Sequence, residues 1–183
     1  MSTLERSLRS SERVEPEVFS RRVSSKLGDL ASGVEVNYGH VWATVEPARI
    51  VDAVRTLRED PELACTYFTF LSGVDWEDQG FEVIVMVYSV VFSNTVGIKV
   101  PLPAVNPSMP TITGVFRSAD WHERETHEMF GIHFEGHPNL VKLYLPPDFV
   151  GHPLLKSFKL ASRVFKPWPG AKDPSEAAGG GRA

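Results

Sequence analysis

The chain has 183 residues, a formal net charge of −4 and one cysteine. That is room for one domain plus tails, of a size that buries about 70% of its unfolded surface and needs no covalent staples. An internal disulfide, a four-thiolate zinc site and an iron–sulfur cluster held by this chain alone are excluded, and a pI near 5.9 lacks the basic surplus that phosphate backbones attract.

The expected setting is reducing and intracellular. The start, MSTLERSLRSSERVEPE, alternates in charge and does not read as a signal peptide. The longest apolar run, Val83 to Phe92, is broken by Tyr88 and Ser89 and falls short of the roughly 20 residues a membrane helix needs. Membrane association is expected only through another protein.

Residues 1–28 are rich in serine and charge and read as a polar, mobile arm with weak helical tendency. Val34 to Val45 holds two β-rich runs around Tyr38-Gly39, which predicts a hairpin. Glu46-Pro47 opens a helix with Ile50, Val54 and Leu57 on one face, and Asp60-Pro61 ends it. Leu63 to Val74 predicts a short helix and then a strand leading to Asp75.

Phe81 to Phe92 is the strongest strand signal. Its two alternating sets are both apolar, so both faces are expected to be covered. Ser93-Asn94-Thr95 predicts a turn, and Val96 to Leu102 the returning strand, with Gly97 at a bulge or close approach. Pro101, Pro103, Pro107 and Pro110 mark a loop. In WHERETHEMF, a helix, Asp120 and Glu123 are spaced as a capping box and Gly131 is the stop. From Lys166 the tail is rich in proline, glycine and alanine and reads as extended.

Five of the six histidines lie between His122 and His152, among Glu123, Glu125, Glu128 and Glu135. Two helical zinc ligands stand four residues apart. His122 and His127 are five apart, about 140° around a helix, and diverge. A loop site from His133, His137 and His152 with Glu135 is the remaining metal-dependent alternative to structural histidines. Cys65 sits in an apolar context without a local base and reads as structural. Glu125 falls within the Trp121–Met129 stripe, either flanking it in solvent or meeting a cation from elsewhere. Arg124 is spaced to pair with Asp120 or Glu128.

The segment ADWHERETHEMFGIHFEGHPNLVKLYLPPDFVGHPLLKSF resembles the hallmark of the 30-kDa subunit family of respiratory complex I. Glu123-Arg124-Glu125, Glu128-Met129-Phe130-Gly131-Ile132, Gly136-His137-Pro138 and Gly151-His152-Pro153-Leu154 carry it, and Phe70-Leu71 to Asp75-Trp76 matches upstream. The family usually has Asp at Glu128, Arg at Lys142, a basic residue at Leu155 and an acid at Ser157. The resemblance implies an α+β fold. With the elements above, this is one domain over 29–165, a small mainly antiparallel or mixed sheet flanked by helices, with an arm at 1–28 and a tail at 166–183.

The resemblance further implies a subunit of NADH:quinone oxidoreductase, a proton-pumping translocase, that is itself non-catalytic and binds no cofactor or metal. NADH, FMN, iron–sulfur clusters and quinone would lie on partners. Subunits B, D and I would be those partners, at the cytoplasmic side of the bacterial inner membrane. Glu123, Arg124, Glu125, Glu128, Gly131, Gly136, His137, Pro138, Gly151, His152 and Pro153 would form the contact region. A related membrane-bound hydrogenase-type complex is the alternative machine.

Overall fold

The computed structural model describes residues 14–159. The described part of the expected arm, from Val14, is mostly a helix. Phe19, Val23 and Leu27 recur every four residues within a polar sequence, and that stripe drives Pro16–Leu27 (α1) onto the core, where all three are buried. Each such side chain contributes about 1.5–3 kcal/mol by burial. The fold therefore includes residues 14–28, which the sequence assigned to the arm. The predicted tail from Lys166 lies outside the described residues.

The hairpin forms as expected, Ala31–Asn37 (β1) against His40–Val45 (β2), with Tyr38 and Gly39 at positive φ in the turn. A 3₁₀ turn at Pro47–Arg49 leads into Ile50–Glu59 (α2), whose Ile50, Ala53, Val54 and Leu57 are buried. No helix follows it. Residues 61–63 form a turn, because Asp60 Oδ1 accepts the Glu62 amide and the Asp60 carbonyl accepts those of Leu63 and Ala64. Tyr67–Asp75 (β3), Phe81–Ser89 (β4) and Asn94–Leu102 (β5) follow.

The sheet order is β1-β2-β5-β4-β3. All its pairs are antiparallel except β2 with β5, which run parallel with Val41 opposite Val96. Ser108–Pro110 (β6) and His133–Glu135 (β7) make a separate parallel pair that the proline-rich sequence concealed. Ala119–Phe130 (α3) is the helix of the hallmark segment.

One sheet face carries the core: Val41, Ala43, Val96, Ile98, Val83, Val85 and Leu71 join the buried faces of α1 and α2 in one cluster. Among the described residues no helix covers the second face, so the expectation that both faces are covered is not met there. On the other face Tyr67 and Phe70 are exposed, and Trp42, Ile84 and Tyr88 are half-buried. Large side chains shield it instead of a helix. The Trp42 ring lies across Gly97, where an added Cβ would sit 2.5 Å from the indole and 2.8 Å from Met86 Sδ. Gly97 is thus the expected close approach. Lys99 stands over the same indole and pairs with Glu35 at 2.9 Å.

The free edge of β3 is closed by α3. His122 Nδ1 lies 3.4 Å from the Leu71 amide and 3.3 Å from its carbonyl oxygen, so an imidazole occupies backbone groups that would otherwise be open to pairing. Gly73 admits Phe130, whose ring would lie 2.9 Å from any Cβ there.

Candidate functional site

The hallmark residues converge on α3, and most of them face the chain itself. The expected capping box is absent: Ser118 is the N-cap position and no side chain caps the helix. Glu123 is fully buried and reaches a different strand-end, accepting the Ile112 amide at 2.8 Å and the Thr111 hydroxyl at 2.5 Å. Burial pushes its carboxyl up to about 7. The bonds from Thr111 and Ile112 oppose the rise and the charge of Asp120 adds to it. Arg124 does not pair with Asp120 or Glu128. Its Nε donates to the Val141 carbonyl at 2.9 Å and its Nη2 to that of Lys142 at 3.1 Å.

Glu128 is buried in a nest of three successive amides. Its Oε2 accepts from Leu143 and Tyr144 at 2.9 Å each, and its Oε1 from Leu145 at 2.6 Å. Burial alone would raise this carboxyl, but the three amides and nearby Lys142 outweigh it and hold it below the usual range. The Lys142 ammonium donates to the carbonyls of Pro146, Pro147 and Phe149 at 3.2, 3.1 and 2.7 Å. An irregular stretch, 139–149, thus has its backbone satisfied by Arg124, Glu128 and Lys142 in place of a sheet.

The two Gly-His-Pro turns dock at opposite ends of α3 by one device. Gly136 (φ 77°) places His137, whose Nε2 lies 3.2 Å from the Asp120 carbonyl oxygen and 3.2 Å from its carboxylate. Gly151 (φ 94°) places His152, whose Nδ1 lies 2.8 Å from the Glu128 carbonyl oxygen, one of the four a helix C-terminus leaves unpaired. Gly131 ends the helix in the left-handed conformation, as expected. Pro138 is exposed and Pro153 half-buried.

Glu125 is half-buried, and among the described residues no cation lies within ion-pair distance of it. Trp121, Val141, Tyr144, Val150 and Leu154 are exposed on and around this scaffold.

His133, His137 and His152 are not brought together. His133 is exposed beside His127, and the other two serve opposite helix ends. Among the described residues no group of three or more His, Cys, Asp or Glu side chains is arranged to hold a metal ion. Cys65 is buried, and burial pushes its thiol up to about 12.

A groove of about 580 Å³ is lined by Asp75, Asp78 and Lys156. There Asp75 is buried, its carboxylate accepting the amides of Glu77 at 2.7 Å and Lys156 at 2.9 Å. A main-chain contact thus holds the edge that carries Leu155 and Ser157. Thr111 carries no signal in the sequence, because the carboxyl it serves lies on another element.

Residues 43–164 match the family described as respiratory-chain NADH dehydrogenase, 30 Kd subunit. The chain belongs to this family. Among its relatives is the C subunit of the NADH-quinone oxidoreductase of Roseiflexus sp. (strain RS-1), 40% identical over 143 residues, covering 77% of this chain and 82% of that protein. The corresponding C 2 subunit of Rhizobium etli (strain CIAT 652) is 36% identical over 164 residues, covering 88% and 87%. Among solved structures, the trypsin-resistant fragment (1–134) of Nqo5 has the same fold, with a TM-score of 0.57 at 23% identity, over 66% of this chain and 97% of that one. A chain of an archaeal membrane-bound sulfane sulfur reductase shares the fold too, with a TM-score of 0.60 at 22% identity over 72% and 77%. The 30-kDa family's hallmark is therefore, in this member, the set of residues that ties two turns and an irregular loop onto one helix.

Proposed function

We propose that this chain is a cofactor-free structural subunit of the peripheral arm of a proton-pumping NADH:quinone oxidoreductase, supporting electron transfer from NADH through iron–sulfur clusters to quinone on its neighbours. One observation supports the scaffold role above others. The charged hallmark residues Arg124 and Glu128 spend their hydrogen bonds on the backbone of 139–149, leaving Trp121, Val141 and Tyr144 exposed around them. In this reading the hallmark builds the contact surface, and the exposed apolar side chains meet the partners.

Subunits B, D and I of the complex are the partners proposed, at the cytoplasmic side of the inner membrane. Among the described residues no helix is long and apolar enough to cross a membrane, which suits attachment through those partners.

The test is affinity purification of the tagged chain from native membranes, with identification of what accompanies it and elemental and flavin analysis of the chain alone. Recovery with NADH-oxidising and quinone-site subunits, and no stoichiometric metal or flavin on the isolated chain, is expected. Recovery as a solitary monomer overturns the reading. Arg124→Ala is expected to reduce recovery of partners while leaving turnover per assembled complex unchanged. Normal assembly with lost turnover would refute the scaffold role.

A second reading rests on the fold shared with the archaeal sulfane sulfur reductase: a subunit of a related membrane-bound hydrogenase-type complex. Co-purification with a nickel-site hydrogenase subunit in place of an NADH-binding one would establish it.

A further inference from the structure

We propose that Glu123, Asp120 and His137 form a buried latch between α3 and the Gly136–Pro138 turn, closed while the Glu123 carboxyl holds a proton and loosened when that proton leaves. The Glu123 side chain and the His137 side chain are both completely shielded from solvent, and that of Asp120 is 27% exposed.

One imidazole thus bonds the Asp120 carboxylate and has the Glu123 carboxyl beside it. The Asn139 amide lies 3.0 Å from His137 Nδ1, and a backbone N–H can only donate, so Nδ1 is the bare nitrogen and the ring's single N–H is on Nε2. That N–H is shared between the carbonyl and the carboxylate of Asp120, at 3.2 Å each, and Glu123 Oε2 stands further off at 3.8 Å.

Other groups facing the cluster do not neutralise it. Arg117 is exposed, lines an adjoining cavity of about 530 Å³ together with Asp120 and makes no ion pair with it, and Arg58 of α2 spends its guanidinium on the Val115 carbonyl and the Phe116 ring. Glu135 of β7 is exposed and accepts the Ser108 hydroxyl. His127 of α3 faces the Ile132 carbonyl. A second unpaired negative charge buried beside Asp120 is costly, and the group avoids that cost by staying neutral. Protonation of Glu123 reverses the Thr111 bond and leaves the group fully served: Oε1 accepts the Ile112 amide, an O–H on Oε2 donates to Thr111 Oγ1, and the Thr111 hydroxyl turns to donate to Thr113 Oγ1, 2.9 Å away.

Loss of the proton reverses these terms. The carboxylate repels Asp120 and draws on the same Nε2–H that holds the turn to the helix. The strain falls on His137 and the Asn139 amide behind it. The Glu123 carboxyl is raised above its ordinary range, so its contribution to stability is complete at acid pH and is lost as pH rises through about 7.

The experiment follows thermal unfolding of the full chain and of Glu123→Gln, which keeps shape and removes the charge, from about pH 5.5 to about pH 8.5. The wild type is expected to lose roughly 5 °C more than the variant across that range. Equal slopes overturn the proposal. Should the variant not fold, carboxyl-carbon NMR of Glu123 in the unaltered chain decides the matter: an inflection near neutrality supports the latch, and one in the ordinary carboxylate range refutes it. Asn139 amide protection, corrected for intrinsic exchange, is expected to fall over the same range. Constant protection while Glu123 titrates would overturn the coupling to the turn.

Discussion

Gly131 and His152 meet at a distance that leaves no room for a side chain: a Cβ at position 131 would lie 2.9 Å from both Cδ2 and Nε2 of the imidazole. The helix stop and the second Gly-His-Pro turn are therefore one contact. Gly131→Ala adds a clash to a left-handed backbone, and a non-glycine residue there costs of order 1–3 kcal/mol. Urea unfolding is expected to show a loss of at least that size. His152→Ala in the Gly131→Ala background is expected to recover part of it, because the clash goes and the backbone strain stays.

Glu128 and the 143–145 amides give a prediction of opposite pH sense to the latch. The Glu128 carboxyl sits below its ordinary range, so its stabilising effect is present above that range and is lost as pH falls through it. Glu128→Gln leaves at least one of the three amides poorly paired and is expected to cost about 1–3 kcal/mol near neutrality. Its acid-unfolding curve is expected to be flatter than the wild type's. An unchanged acid limb would show that the nest does not hold a charged carboxylate.

On the open sheet face, Gly97→Ala is expected to displace the Trp42 indole and to destabilise by about 1–3 kcal/mol, the usual cost of overpacking. In a Trp42→Ala background the same change is expected to cost far less. Additive losses in that double-mutant cycle would mean that Gly97 is needed for some reason other than the indole.

Cys65 is expected to resist alkylation at neutral pH in the folded chain and to react fully in denaturant, since burial holds its thiol up near 12. Rapid modification of the native chain would contradict the packing around Leu63 and Cys65.

Elements that announce themselves locally were legible in the sequence. Gly39 in a β-rich stretch marked the hairpin, Glu46-Pro47 and Asp60-Pro61 bounded α2, and a turn returned β5 onto β4, though at 90–93 and not at the expected Ser93-Asn94-Thr95. What escaped depended on partners far along the chain. The Phe19–Val23–Leu27 stripe is too sparse to outweigh its polar surroundings until a sheet lies under it. Alternation showed two apolar faces on β4 but not that Trp42, from a distant strand, would shield one of them.

The candidate site was legible as residues and not as roles. The spacing of Asp120, Arg124 and Glu128 suggested pairs along the helix, and all three turned instead to turns and loops many residues away. Side chains on a helix surface choose between a solvent-exposed neighbour and a buried backbone group. The unmet backbone of an irregular loop is the more expensive to leave unpaired.

The parallel pairing of β2 with β5 also sets a timetable for synthesis. When the β1–β2 hairpin leaves the ribosome, the strand it must lie beside has not been made, and β4 and the turn at Ser93 have to follow before β5 exists. Until then Val41 and Ala43 have no third strand to join, and the hairpin of this chain waits for the last-made strand of its sheet.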